Sequence, residues 1–402
     1  MKYQLKSIAV AALVMSLLVI TVTGYVYHGR HLSGERAGNQ FVAAENNAAD
    51  AKVQKIQPSL DAYRVVYLES NHDSTTIWSA SPGAPATNRE ILLALSHADG
   101  SPPKASLSPT GENLAYTLLN EGGSPAFSGS LWLTSLSDRI PREIDENVDY
   151  GWSPRWSQDG TSFIYIKKVR LGSDTQYRND VYVANLSGQV NLIWSDPGSL
   201  EIVPVGWNAD GNHIYLDRVE DSGDNLYEIE STSGRARIIS HLSHSAAWNL
   251  SVSPDGKKIV GSIQTAPERI EYAIVSVSIA TGQSETIVGG ASSSYNPIWN
   301  PHDGKITTNI PTEDSRSAAV IAEIGDKQEK GKFSIARAAN DSAQGDSPGR
   351  PVPKSWSPDG QWLAVQTYHQ SSVDLLLRKM DDGSTRVASS PWTEFIGWLK
   401  VR

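Results

Sequence analysis

Gly345-Asp346-Ser347-Pro348-Gly349 has the Gly-x-Ser-x-Gly spelling of a nucleophile elbow, in which a serine on a strand-to-helix turn attacks an acyl carbon. The residue after the serine defeats it. An elbow uses that residue's N–H as an oxyanion donor, Pro348 has none, and Ala338 to Pro353 reads as a loop rather than as strand and helix. Histidines are the other reactive group. His241 and His244 flank Leu242-Ser243 in a connection, while His72 and His369 fall in corresponding loops near the two ends of the chain. In a closed ring those last two would be neighbours, which would suit a metal-dependent lyase or hydrolase. Loop histidines are far more often solvated than metal-bound, so no metal ligands and no catalytic residues are expected. No phosphate-cradling glycine loop, His-Glu-x-x-His helix or calcium loop occurs, and no cofactor is expected.

A third group suggests recognition rather than reaction. Asp149, Tyr150 and Trp152, then Glu201, Trp248 and Asn249, Tyr295 and Asn296, Arg350, and finally Trp392 and Glu394 each stand just upstream of a recurring unit. Aromatic and charged side chains gathered in one place make a binding surface. The competing reading is core: Trp152 and Trp248 lie four residues before repeat positions and would face the same side if the strand extends that far.

The recurring unit is Trp356-Ser357-Pro358-Asp359-Gly360. It returns at Trp156 to Gly160, Trp207 to Gly211, Val252 to Gly256, Trp299 to Gly304 with His302 inserted, and Leu107 to Gly111, at intervals of about 45 to 56 residues. Proline presets φ for a turn, Asp or Asn bonds its own backbone, and Gly supplies positive φ, so the unit is a hairpin turn between two strands. Two further alternating runs follow each, as in Asp180 to Ala184 and Gln189 to Ile193. Four strands per repeat cannot bury both faces of a sheet alone, but radially arranged sheets bury them against one another.

These units resemble the WD-like propeller repeats of the TolB-like family and of the propeller domains of prolyl oligopeptidases, over roughly residues 61 to 402. The resemblance implies an all-β propeller fold and leaves function open, because that fold hosts many. Tyr63 to Leu68, Thr76 to Ala80 and Arg89 to Leu95 read as three strands lacking a first, and Phe395 to Leu399 as a first strand lacking the rest. Together they predict a composite blade one that closes the ring. Seven blades result. A six-bladed ring is the alternative if the sixth unit is irregular, since its second strand is polar and Ile324 to Lys332 reads as a charged loop. The Trp series reads as inter-blade core, because Leu107 and Val252 keep an apolar side chain at the same position.

Lys2 and Lys6 precede an uncharged run from Ser7 to Tyr27, at about 20 residues long enough to span a bilayer. It predicts a transmembrane signal-anchor with residues 1–27 as cytoplasmic tip and helix, although Val22-Thr23-Gly24 would also serve as a cleavage site of a signal peptide. Residues 28–60, rich in Ala, Asn, Gly and Gln, read as a flexible linker. A net charge of −9 without a Lys/Arg cluster argues against nucleic acid, and the absence of Cys excludes disulfides. The expectation is a single-pass membrane protein with its propeller on the periplasmic or extracellular side. There it acts as a non-catalytic scaffold for a protein or peptide partner. A metal-dependent lyase or hydrolase using the central channel is the alternative.

Overall fold

A computed structural model describes residues 62–98, 100–120, 127–172, 177–243, 246–266, 271–291, 295–310, 320–325, 328–334, 350–369, 372–390 and 392–401. Ser7 to Tyr27, the 28–60 linker, His244 and Gly345 to Gly349 lie outside these residues, and no described helix is long and apolar enough to cross a membrane. The compact unit Asp61–Arg402 consists of seven four-stranded antiparallel sheets.

Blade two shows the plan, running through Lys104–Leu107, Asn113–Leu119, Ser128–Ser135 and Pro141–Asp149 in spatial order. First strands of successive blades touch one another, which places them innermost around a central channel. Blade one is composite. Trp392–Lys400 pairs antiparallel with Tyr63–Ser70, which leads outward to Ser74–Ala80 and Arg89–Ser96.

Packing closes the ring at every joint. Val65, Tyr67 and Trp398 of blade one form a cluster with Trp362, Leu375 and Leu377 of blade seven, while Val66, Leu68 and Ile396 pack on Leu107 and Leu114 of blade two. Comparable clusters join blades two to three, three to four, four to five and five to six, and Ile298 of blade six packs on the Trp356 cluster of blade seven. Alternate residues of each strand face opposite neighbours, so both faces of a sheet are buried without a separate central core.

The repeat unit does two jobs. Glycines 111, 160, 211, 256, 304 and 360 all hold φ between 65° and 74°, the left-handed region the turn needs. The Ser157 hydroxyl donates to Asp159 at 2.6 Å and accepts the Ser162 N–H, and Ser253–Asp255 and Ser357–Asp359 repeat the donation. The tryptophans clamp blades together. Each indole N–H reaches back to the preceding blade: Trp156 to the Ser106 carbonyl, Trp207 to the Arg155 carbonyl, Trp299 to the Ser251 carbonyl and Trp356 to the Thr307 hydroxyl, at 2.9 to 3.2 Å.

Trp356→Ala should therefore cost about 3 to 5 kcal/mol, the range for deleting a large buried aromatic, and it also strands a buried hydroxyl. Urea melts read this directly, and a loss below about 1 kcal/mol would remove Trp356 from the core. One stretch differs from its sequence reading. Ile324 to Lys332 is largely strand, within Val320–Gly325 and Gln328–Ser334, which pair antiparallel as the third and fourth strands of blade six.

Candidate functional site

Every Ser-x-Asp-Gly turn lies at the far end of an innermost strand, so the starts of those strands and the loops between second and third strands share the opposite face. The predicted binding residues lie on that face, where they fall into three groups. Most are already engaged by the fold.

In the first group, Asp149 ends blade two, accepts the Gly151 N–H at 2.9 Å and meets the Lys168 ammonium at 3.0 Å. The Trp152 indole donates to Glu201 at 3.0 Å, and Lys168 stands 3.9 Å from the same carboxylate. Burial raises the Glu201 pKa, with Asp149 adding to it and Lys168 opposing it. Burial alone would lower Lys168, but Asp149 and Glu201 outweigh it and raise it.

Trp248, Asn249, Tyr295 and Asn296 form the second group, at the joint of blades five and six. Tyr295 is buried and its N–H donates to the Ser262 hydroxyl, while Trp248 is half-buried against it. Asn249 is exposed, adopts a φ of 55° and donates to the Tyr295 carbonyl at 2.9 Å. The Asn296 main-chain and side-chain N–H groups both donate to Asn309.

Tyr150 and Glu394 make the third. Tyr150 is buried with its hydroxyl donating to the Pro102 carbonyl, and its pKa is raised by burial and then by the charge of Glu394. Glu394 lies on the innermost strand of blade one, and one of its oxygens is buried without a hydrogen bond. Trp392 is half-buried beside the cluster joining blades one and two. Arg350 starts the innermost strand of blade seven opposite Tyr368, and only its backbone is described. Buried Tyr150, Tyr295 and Asp149 thus form the wall, leaving Trp152, Trp248, Asn249 and Glu394 to meet solvent.

The parity argument for Trp152 and Trp248 fails at both positions. Trp156 packs toward blade two, but the strand Arg155–Trp156 is only two residues long, and Trp152 turns to Glu201 of blade four. In blade five Trp248 opposes Ser262 and Ser251 opposes Val260, so two residues face one. This bulge reverses the alternation, sending Val252 toward blade four and Trp248 toward blade six.

Two buried acids escaped the sequence reading. Asp217, in the second strand His213–Glu220 of blade four, and Asp224, in its third strand Gly223–Glu230, stand diagonally on the side facing blade five. The Asp224 carboxylate accepts the Ala247 N–H. Burial pushes the Asp224 pKa up to about 7, and Asp217 rises well above the usual range through burial, Asp224 and Glu201. An Asp directly following the apolar run Ile214-Tyr215-Leu216 in the second strand was the available signal.

The innermost strands also carry cations that sequence reasoning passed over. Arg155 is solvent-exposed although it sits on the innermost strand of blade three, the signature of a side chain in a water-filled channel. At the same place before the repeat position other blades have Ser106, Gly206, Ser251 and Gly397, so a charge there stands out. Lys354 lies in a bulge on the innermost strand of blade seven, and Lys104 sits 5.7 Å over the Tyr150 ring. Of the candidate histidines, His72 is exposed, His369 faces the Asp374 carboxylate at 3.2 Å and His241 meets Asn225 at 3.0 Å. Among the described residues, no three His, Asp or Glu side chains gather where they could share an ion.

Fold and channel define the class: a β-propeller whose innermost strands enclose a charged, solvent-reached passage. No protein-family model matches the chain. Among curated proteins, dipeptidyl-peptidase 5 of Porphyromonas gingivalis is similar, with 25% identity over 146 residues, covering 35% of this chain and 21% of that protein. The chain thus spans about a fifth of that relative's length. Among solved structures, a prolyl endopeptidase chain matches with TM-score 0.58 and 11% identity over 84% of this chain and 50% of that one. An oligogalacturonate lyase in complex with manganese matches with TM-score 0.51 and 13% identity, over 73% and 79%. TolB from Acinetobacter baumannii matches with TM-score 0.47 and 15% identity, over 84% and 66%. At these identities the likeness is one of fold alone.

Proposed function

We propose that the propeller is a non-catalytic scaffold at the cell envelope whose channel face receives an extended peptide segment of a partner protein. The observation that carries this reading is the channel itself: solvent-reached and lined with charge, it opens on the face where Trp152, Trp248 and Asn249 meet water. Aromatic and polar groups around a charged passage suit a peptide, whose backbone and side chains need both. The peptidase name of the curated relative is consistent with a ligand of that chemistry. Ser7 to Tyr27 acts as a retained membrane anchor, with residues 28–60 as tether and the propeller on the periplasmic or extracellular side.

Photo-crosslinking on intact membranes tests both parts. A crosslinking residue replacing Ser153, at the channel mouth, should label a discrete partner, while one replacing Ile91 on an outermost strand should not. The extracted product should retain the N-terminus at Met1; a chain starting after Gly24 would remove the anchor. Equal labelling from Ile91 would remove the channel from the reading. Stoichiometric metal in the purified full chain would favour a metal-dependent enzyme instead.

A further inference from the structure

We propose that the channel contains a carboxylate-binding site built from Arg155 and Lys354. The inference rests on the peptide-binding reading and specifies its chemistry: the captured segment presents an acidic group, either its terminal carboxylate or an Asp or Glu side chain.

The two cations come from blades on opposite sides of the ring. Arg155 immediately precedes Trp156 on the innermost strand of blade three, and its main-chain carbonyl is fixed by the Trp207 indole at 2.9 Å. Lys354 precedes Trp356 by two residues in blade seven. There Pro353 opposes Val365 and Ser355 opposes Ala364, leaving Lys354 as the extra residue of a bulge. Val205 and Ile396 hold the same bulge position in blades four and one and are buried between blades, whereas the longer Lys354 side chain is only half-buried there.

Among the described residues, Arg155 makes no ion pair within salt-bridge distance, and burial within the ring is the sole influence lowering its pKa. Burial alone would lower the Lys354 pKa, but the Tyr368 hydroxyl and the charge of Glu394 outweigh it and raise it, against a smaller opposing repulsion from Arg155. Lys104 adds a third innermost-strand cation, held over the Tyr150 ring. The whole chain carries −9, so these cations are opposite in sign to its net charge. Glu394 offsets part of the charge at Lys354 but Arg155 has no such partner, and a carboxylate placed at Arg155 supplies one in a passage that otherwise holds its charge away from bulk water. Guanidinium binds it with two parallel N–H donors and ammonium as a point charge, in a passage where surrounding protein reduces screening. A phosphate would meet the same donors. The carboxylate is favoured because Glu394 shares the wall with Lys354 and opposes a ligand of higher negative charge.

Four probes titrated into the full chain in detergent test this by calorimetry: citrate, acetyl-tetraglycine with a free carboxylate, its amide, and an amidated acetyl-Gly-Gly-Asp-Gly. At least one carboxylate peptide should bind about tenfold or more tightly than the amide, and Arg155→Gln and Lys354→Gln should each weaken it about tenfold or more. Whichever peptide binds identifies the source of the carboxylate. Arg155→Gln keeps the carbonyl that holds Trp207 and relieves a repulsion, so its Tm should equal or exceed the parent's. A clear fall in Tm would make Arg155 structural and overturn the site. Equal binding of the amide would overturn the carboxylate site and leave peptide capture standing. Citrate binding that depends on Arg155, with no peptide bound, would support the site and overturn peptide capture. No binding by any probe up to about 10 mM would overturn the site, since even millimolar affinity would register.

Discussion

Without Trp392–Arg402, the propeller should lose its cooperative melting transition altogether. That segment supplies the innermost strand of blade one and so is paired with Tyr63–Ser70 over the whole strand. Its side chains also serve both neighbouring joints. Trp398 belongs to the cluster shared with blade seven, and Ile396 to the one shared with blade two. The buried Gln366 of blade seven donates to the Thr393 carbonyl at 3.1 Å and accepts the Phe395 N–H, so its removal leaves a buried amide unsatisfied. Deleting one large buried side chain costs about 3 to 5 kcal/mol, and two such losses plus a strand's hydrogen bonds exceed a typical folding free energy of about 5 to 15 kcal/mol. The exposed edge of Tyr63–Ser70 should then recruit a second chain. Circular dichroism melts and size-exclusion chromatography read both effects. A truncated chain that stays monomeric and melts within a few degrees of the parent would show that the closing strand is dispensable. Adding the peptide Trp392–Arg402 in trans should restore the transition, which separates loss of closure from non-specific damage.

The Asp217→Asn, Asp224→Asn double variant should be more stable than the parent at pH 8, and the gain should vanish near pH 4. The Asp224 pKa is about 7 in the fold against 3.8 for an unperturbed Asp, so between those values the folded state holds a proton that the unfolded state releases. Parental stability therefore falls as pH rises through that window and is lowest above about 7, where both buried acids are driven to ionise. Asn keeps the shape and the acceptor for the Ala247 N–H and removes the charge. A shift of about 3 units corresponds to an upper limit on the order of 4 kcal/mol, which at this size is a rise in Tm of roughly 5 °C or more at pH 8. Melts of both proteins from pH 4 to 8 measure it. The turn carboxylates Asp159 and Asp255 act in the opposite sense. The hydroxyls of Ser157 and Ser253 lead in holding their pKa values low, so their contribution is present at neutral pH and lost only as the medium becomes more acidic than an ordinary Asp. A gain in the double variant that is the same at pH 4 and 8 would show that these two acids do not titrate as described.

Much of this molecule can be read in its amino-acid order because the repeat is local chemistry. Ser-Pro-Asp-Gly sets its own turn, the Trp before it is large enough to bridge to the next sheet, and the missing first strand near Tyr63 matches the surplus strand ending at Trp398. The turn and the Trp specify blade and joint locally, and closure follows from matching the two ends of the repeat array. The channel mouth is different, because side-chain direction there depends on strand length and on bulges that pairing partners impose. A two-residue strand at Arg155–Trp156 and a bulge at Asn249–Leu250 each break the period of two, so Trp152 and Trp248 face away from where counting from the repeat puts them. Charge is likewise a property of the assembled ring. Arg155 and Lys354 stand far apart in the chain and come close enough to repel only when seven sheets close, while Asp217 and Asp224 become buried acids only because blade five covers them. Local sequence therefore determined the architecture, and tertiary packing decided which side chains line the passage and what charge it presents.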